Sequence, residues 1–85
     1  MAWVTKREKR EADMRRNPAE MRFDDLDAVL RGYNFVRRNE ASSHSTYRHP
    51  SLSKYVNIPV HEGKVKRTYV LQAIAAIDDL KAHST

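Results

Sequence analysis

Ser42-Ser43-His44-Ser45-Thr46-Tyr47-Arg48-His49-Pro50 decides the fold of this chain. A polar turn at residues 41–43 opens into a short strand over residues 45–49, and residues 50–53 form a second turn. Period-2 alternation sorts the side chains: His44, Thr46 and Arg48 fall on one face, Ser45, Tyr47 and His49 on the other. The same pattern extends outward in both directions. Residues 33–38 read as a preceding strand and residues 55–60 as a following one, with Val56, Ile58 and Val60 sharing a face. Pro59 cannot donate to a ladder and belongs near a strand end or a sheet edge.

Helical periodicity flanks these strands. Val70, Leu71, Ile74, Ile77 and Leu80 mark a buried stripe on a last helix over residues 68–81. Phe23, Leu26, Val29 and Leu30 do the same for residues 23–31, where Asp24 and Asp25 suit the positive end of the dipole. Gly32 is expected to be the left-handed C-cap of that helix. Upstream, Thr5-x-x-Glu8 is a capping-box pattern that starts a helix over residues 6–16. Asn17-Pro18 ends it, because proline disfavours α geometry in the residue before it. Ala12 and Met14 give this leading helix only a narrow apolar stripe, so it is expected to dock least firmly. Residues 18–22 read as a linker. The order α-α-β-β-β-α defines an α+β fold whose three-stranded antiparallel sheet is covered on one face by the second and last helices. The reading is of one domain over residues 1–85, with an accessory helix in residues 1–17 and a core over residues 23–81.

Composition narrows the functional classes. With 85 residues the chain can bury only a thin core, and it has no cysteine for a disulfide or a thiolate metal site. No apolar run reaches the ~18 residues that span a bilayer, so no membrane partner is expected. The first residues lack the apolar stretch of a secretion signal, which makes a cytoplasmic location the expectation. The net charge of +5 is uneven: residues 37–67 carry seven Lys or Arg against two Asp or Glu. A local basic field of this kind attracts phosphate backbones, although a solvated surface accounts for it equally well.

His44 lies in that basic third. Imidazole has an unperturbed pKa near ~6.5 and can take and return a proton at neutral pH. A base that removes the 2′-hydroxyl proton of RNA lets that oxygen attack the adjacent phosphorus, and cations stabilise the charge that develops. Arg48 shares the face of His44 by parity and is the first choice for such a cation. Arg37, Arg38 and Lys54 lie along or beside the sheet, and Ser43 can orient the imidazole or bond phosphate. Lys64, Lys66 and Arg67 immediately precede the last helix, where free amides favour an anion. His49 has the opposite parity to His44, and His61 follows the third strand, so both are weaker candidates. A zinc site is not expected without an HxxxH or CxxC spacing, and no cofactor is implied.

Taken in order, these pieces resemble the HicA family of toxin ribonucleases from bacterial toxin–antitoxin modules. The resemblance rests on Leu30-Arg31-Gly32-Tyr33-Asn34-Phe35-Val36-Arg37-Arg38, Ser43-His44, Tyr47-Arg48-His49-Pro50, Ile58-Pro59-Val60-His61, and the helical stretch from Tyr69 to Leu80. It covers residues 6–80 and includes the extra leading helix of a longer branch. It implies a double-stranded-RNA-binding-like fold, cleavage of messenger RNA that arrests translation, and neutralisation by a HicB-like antitoxin. The family's catalytic histidine falls on His44. Two positions depart from the pattern. Ser42 stands where the family has glycine before Ser-His, and Arg22 stands where a cap-type residue is frequent, which removes a side-chain acceptor worth ~1 kcal/mol. Two other classes fit the residues: a non-catalytic module that grips structured RNA by shape, and a protein adaptor that docks through the basic leading helix.

Overall fold

In the computed structural model, which describes residues 5–41 and 44–83, the chain begins with a capped helix. Helix α1 spans Lys6–Arg16, and its capping box forms as the Thr5 hydroxyl accepts the Glu8 amide hydrogen while the Glu8 carboxylate accepts from the Thr5 amide. Then follow β1 (Met21–Arg22), α2 (Phe23–Gly32), β2 (Val36–Ala41), β3 (His44–Arg48), β4 (Val56–Pro59), β5 (Lys64–Val65) and α3 (Arg67–His83). The fold is α+β, with three helices and an antiparallel sheet ordered β2-β3-β4. No helix among the described residues is long and apolar enough to cross a membrane.

The pleat of β3 sets the layers. Ser45 and Tyr47 are buried while His44 and Arg48 are exposed, as alternation requires. Tyr47, Val56 and Ile58 face a core completed by Leu26, Val29 and Leu30 from α2 and by Val70, Ala73 and Ile77 from α3. Both helices therefore cover one face of the sheet. The other face, carrying Val36, Arg38, His44, Arg48 and Asn57, is exposed.

Tyr47 is the largest fully buried side chain, and its hydroxyl donates to Asp27 Oδ1 at 2.6 Å. Burial and the adjacent carboxylate both push the phenol pKa up, which keeps the proton in place. Asp27 also accepts from Arg31 and pairs with Arg37 at 3.4 Å, so one carboxylate fastens α2 to two strands.

Several expectations are corrected here. Gly32 is the last residue of α2 and not a left-handed cap. The positive φ falls two residues later, at Asn34 (φ 70). Asparagine tolerates that region because its short amide bonds locally. In α3, Leu71 is 38% exposed and Ala73 is fully buried in its place, since the helix turns its Val70–Ala73–Ile77–Leu80 stripe inward. The linker contains a strand: Met21 and Arg22 pair antiparallel with Val65 and Lys64. Strand β2 starts at Val36, three residues later than the pattern suggests, because residues 33–35 are used to turn out of α2.

Helix α1 is held by polar contacts more than by its apolar stripe. Met14 is buried but Ala12 is exposed. Glu11 accepts from the Tyr33 hydroxyl at 2.6 Å and from Arg15 Nε at 2.9 Å, with Lys81 Nζ 3.5 Å away. Arg15 reaches Asp78 of α3 at 2.9 Å, and Arg10 pairs with Asp25 of α2 at 3.3 Å. Burial alone raises the Glu11 carboxyl pKa. The hydrogen bonds from Tyr33 and Arg15 and the charges of Lys81 and Arg15 outweigh it, so the net displacement from 4.5 is downward.

Candidate active site

His44 is the first residue of β3 and lies opposite Pro59 of β4. On its other side the β2–β3 register shifts between Asn39 and Ala41, so a bulge sits beside it. Bulges twist a ladder locally and re-aim the neighbouring side chain. His44 is exposed and lines a cleft of about 340 Å³ with Pro59, Val60, His61, Lys64, Lys66 and Tyr69.

A tight hairpin contributes His61 and Lys64 to the lining. His61 and Lys64 exchange backbone hydrogen bonds of 2.9 and 3.0 Å across Glu62 (φ 53) and Gly63 (φ 75). Positive φ at both central residues is the signature of a type I′ hairpin turn. The Gly63 carbonyl also accepts the Phe23 amide hydrogen at 2.9 Å, which locks the hairpin to the start of α2. Just beyond, the Lys66 carbonyl accepts from the Tyr69 and Val70 amides at 3.0 and 3.1 Å and begins α3. His44, His61, Lys64 and Lys66 therefore line one cleft beside a helix N-terminus, where the dipole adds to the positive field, and Lys64 Nζ also lies 4.0 Å from Glu20 Oε1.

The structure separates the residues picked out from the sequence. His44, Lys64 and Lys66 come together, and His61 joins them. Arg67 lies at the start of α3 with its Nε bonded to the Pro18 carbonyl at 3.2 Å. Arg37 is on the helix-covered side, paired with Asp27 and stacked 5.5 Å from the Phe23 ring centroid. Arg38, opposite Thr46, is exposed on the open face. Arg48 shares that face with His44 but lies about 13 Å away along the strand. Its guanidinium sits 5.7 Å from the Tyr55 ring centroid. Lys54 is exposed beside Tyr55 and lines a different cavity. Ser43 and Ser42 lie outside the described residues.

His49 has a local task. Its Nδ1 accepts the Ser51 amide hydrogen at 3.0 Å, and its ring packs edge-on against Phe35 at 5.2 Å. Among the described residues no three His, Asp or Glu side chains converge as metal ligands would. The arrangement can attract a phosphodiester and present imidazole nitrogens to it. Pro59, Val60 and Tyr69 are cleft residues that were not picked out as site residues from the sequence; for Tyr69 an aromatic ring two residues after a basic run was the available signal.

Comparison with protein-family models, with curated proteins and with solved structures returned no match to this chain.

Proposed function

We propose that this chain is a metal-independent endoribonuclease of the HicA kind, the toxin of a toxin–antitoxin module, acting on messenger RNA. The observation that carries this reading is the shared cleft of His44, His61, Lys64 and Lys66. In the proposed reaction His44 takes the 2′-hydroxyl proton as the 2′ oxygen attacks phosphorus. The bond to the 5′ oxygen breaks, and a protonated His61 gives its proton to that leaving oxygen. The products are a 2′,3′-cyclic phosphate and a 5′-hydroxyl end. Solvent exchange restores both histidines. Lys64 and Lys66 stabilise charge on the non-bridging oxygens throughout.

The finer fold reading is a double-stranded-RNA-binding-like unit, α2-β2-β3-β4-α3, with α1 as an addition. A sheet covered on one face by α2 and α3 supports it. Control by a HicB-like antitoxin follows from the same reading. A partner presenting carboxylates to a cleft with two lysines and two histidines would block phosphate entry through complementary charge.

The test is incubation of the purified protein with end-labelled RNA in EDTA. The reading expects new 2′,3′-cyclic phosphate and 5′-hydroxyl ends. RNA binding with no new ends would instead make the chain a binding module.

A further inference from the structure

We propose that the groove beside Tyr55 is a nucleobase site that holds a nucleotide near the scissile one and makes single-stranded RNA the preferred substrate. The inference rests on the ribonuclease reading above. It starts from an exposed aromatic ring: Tyr55, just before β4, is 65% accessible, and Val36, opposite Arg48 in the ladder, is 58% accessible. The Arg48 guanidinium lies over the Tyr55 ring, 5.7 Å from its centroid, which places a cation beside the aromatic face.

Tyr55 also forms one wall of a cavity of about 390 Å³ between the segment before β4 and helix α3. That volume lies in the range of small-ligand sites, roughly 300–1,000 Å³. Leu52 and Ala76 supply apolar surface, Gln72 an amide that can both donate and accept, and Lys54 a cation at the rim. Asp79 is the carboxylate among the lining residues, two turns along α3 from Gln72. An aromatic wall, an amide and flanking cations match a flat ring with a polar edge carried on an anionic backbone.

Position connects this groove to the chemistry. Pro59 and Tyr69 line the cleft, while Val56 and Gln72 line the groove, so both lie along the seam between β4 and α3. Val56 is about 10 Å from Pro59 along the strand. A base in the groove therefore belongs to a nucleotide close to the phosphate at His44. Only an unpaired base can enter, because a duplex keeps its bases stacked inside.

The experiment measures binding of a fluorescent single-stranded oligoribonucleotide, and of the duplex of the same sequence, to the full chain carrying His44→Ala to prevent cleavage. Adding Tyr55→Ala is expected to weaken single-strand binding by about 5- to 150-fold, the range of one lost base stack. Tyr55→Phe should bind close to the His44→Ala protein, duplex binding should not change, and the salt dependence should keep its slope because no charge is removed. Unchanged single-strand affinity in Tyr55→Ala overturns the proposal, including the case where the groove takes a protein segment. Equal losses for single strand and duplex overturn it as well. Either result leaves the ribonuclease reading standing if the wild-type protein cuts RNA. If the wild-type protein neither binds nor cuts RNA, both readings fall.

Discussion

His61 and Lys64 face each other across a two-residue turn, each accepting the other's amide hydrogen. The pair fixes one wall of the cleft, and its geometry depends on the positive φ of Glu62 and Gly63. A Cβ on Gly63 would meet nothing within 4 Å, so Gly63→Ala is penalised by backbone conformation alone, about 1 kcal/mol. Glu62→Asn gives the turn the residue pair its dihedrals favour and should stabilise by a few tenths to about 1 kcal/mol. Urea denaturation of both variants checks the signs. Stabilisation by Gly63→Ala would contradict this account of the turn.

Tyr47 and Asp27 provide the second prediction. Tyr47→Phe removes one hydrogen bond to a charged acceptor and should cost about 1.5–3 kcal/mol. Asp27→Ala should cost more, because it leaves the buried hydroxyl and Arg37 without their shared partner. A double-mutant cycle measured by chemical denaturation gives the coupling directly. Independent effects would show that the carboxylate does not join α2 to the sheet.

Acid should loosen α1. The native Glu11 pKa lies below its ordinary value, so the unfolded chain binds more protons as the pH falls. The resulting stabilisation is complete above the unfolded value near 4.5 and is lost as pH falls through the lower native value. Glu11→Gln should flatten this acid dependence while weakening attachment of α1 at neutral pH. Amide exchange in α1, compared at neutral and acidic pH, reports both effects. An unchanged pH profile in the variant would sink the explanation.

Lys64 and Lys66 should act through phosphate. Each substitution by alanine is expected to weaken RNA binding across sequences and to reduce the slope of log affinity against log salt by roughly 0.7. Arg37→Ala should leave that slope unchanged, because its guanidinium is engaged with Asp27 and Phe23 on the covered side. Titrations at several salt concentrations separate the two behaviours. A slope change for Arg37 equal to that for Lys66 would redraw the interface.

Much of this architecture is legible in the residues. The capping box at Thr5 and Glu8, the apolar stripe of α2 and the parity of β3 all depend on short-range periodicity, which the structure reproduces. The β1–β5 ladder was not legible, since two-residue strands carry no period. Ala73 replaced Leu71 in the core because burial follows the direction a helix faces and not hydrophobicity alone. The cleft divides in the same way. His44 and the lysines stand out by type and local charge, whereas their meeting with His61 depends on a hairpin whose Glu62-Gly63 turn is a weak sequence signal. The face of Arg48 was legible from parity, but its neighbours and those of Arg37 came only from the register that sets Arg48 beside Val36 and Arg37 beside Tyr47.

The central claim is that His44 moves the proton in RNA cleavage, and single-turnover cleavage in EDTA by wild type and His44→Ala tests it most directly. The variant should retain the wild-type unfolding transition, since the side chain is exposed, while its cleavage rate falls by about 10²–10⁴-fold. Cleavage by folded His44→Ala at the wild-type rate would contradict the account.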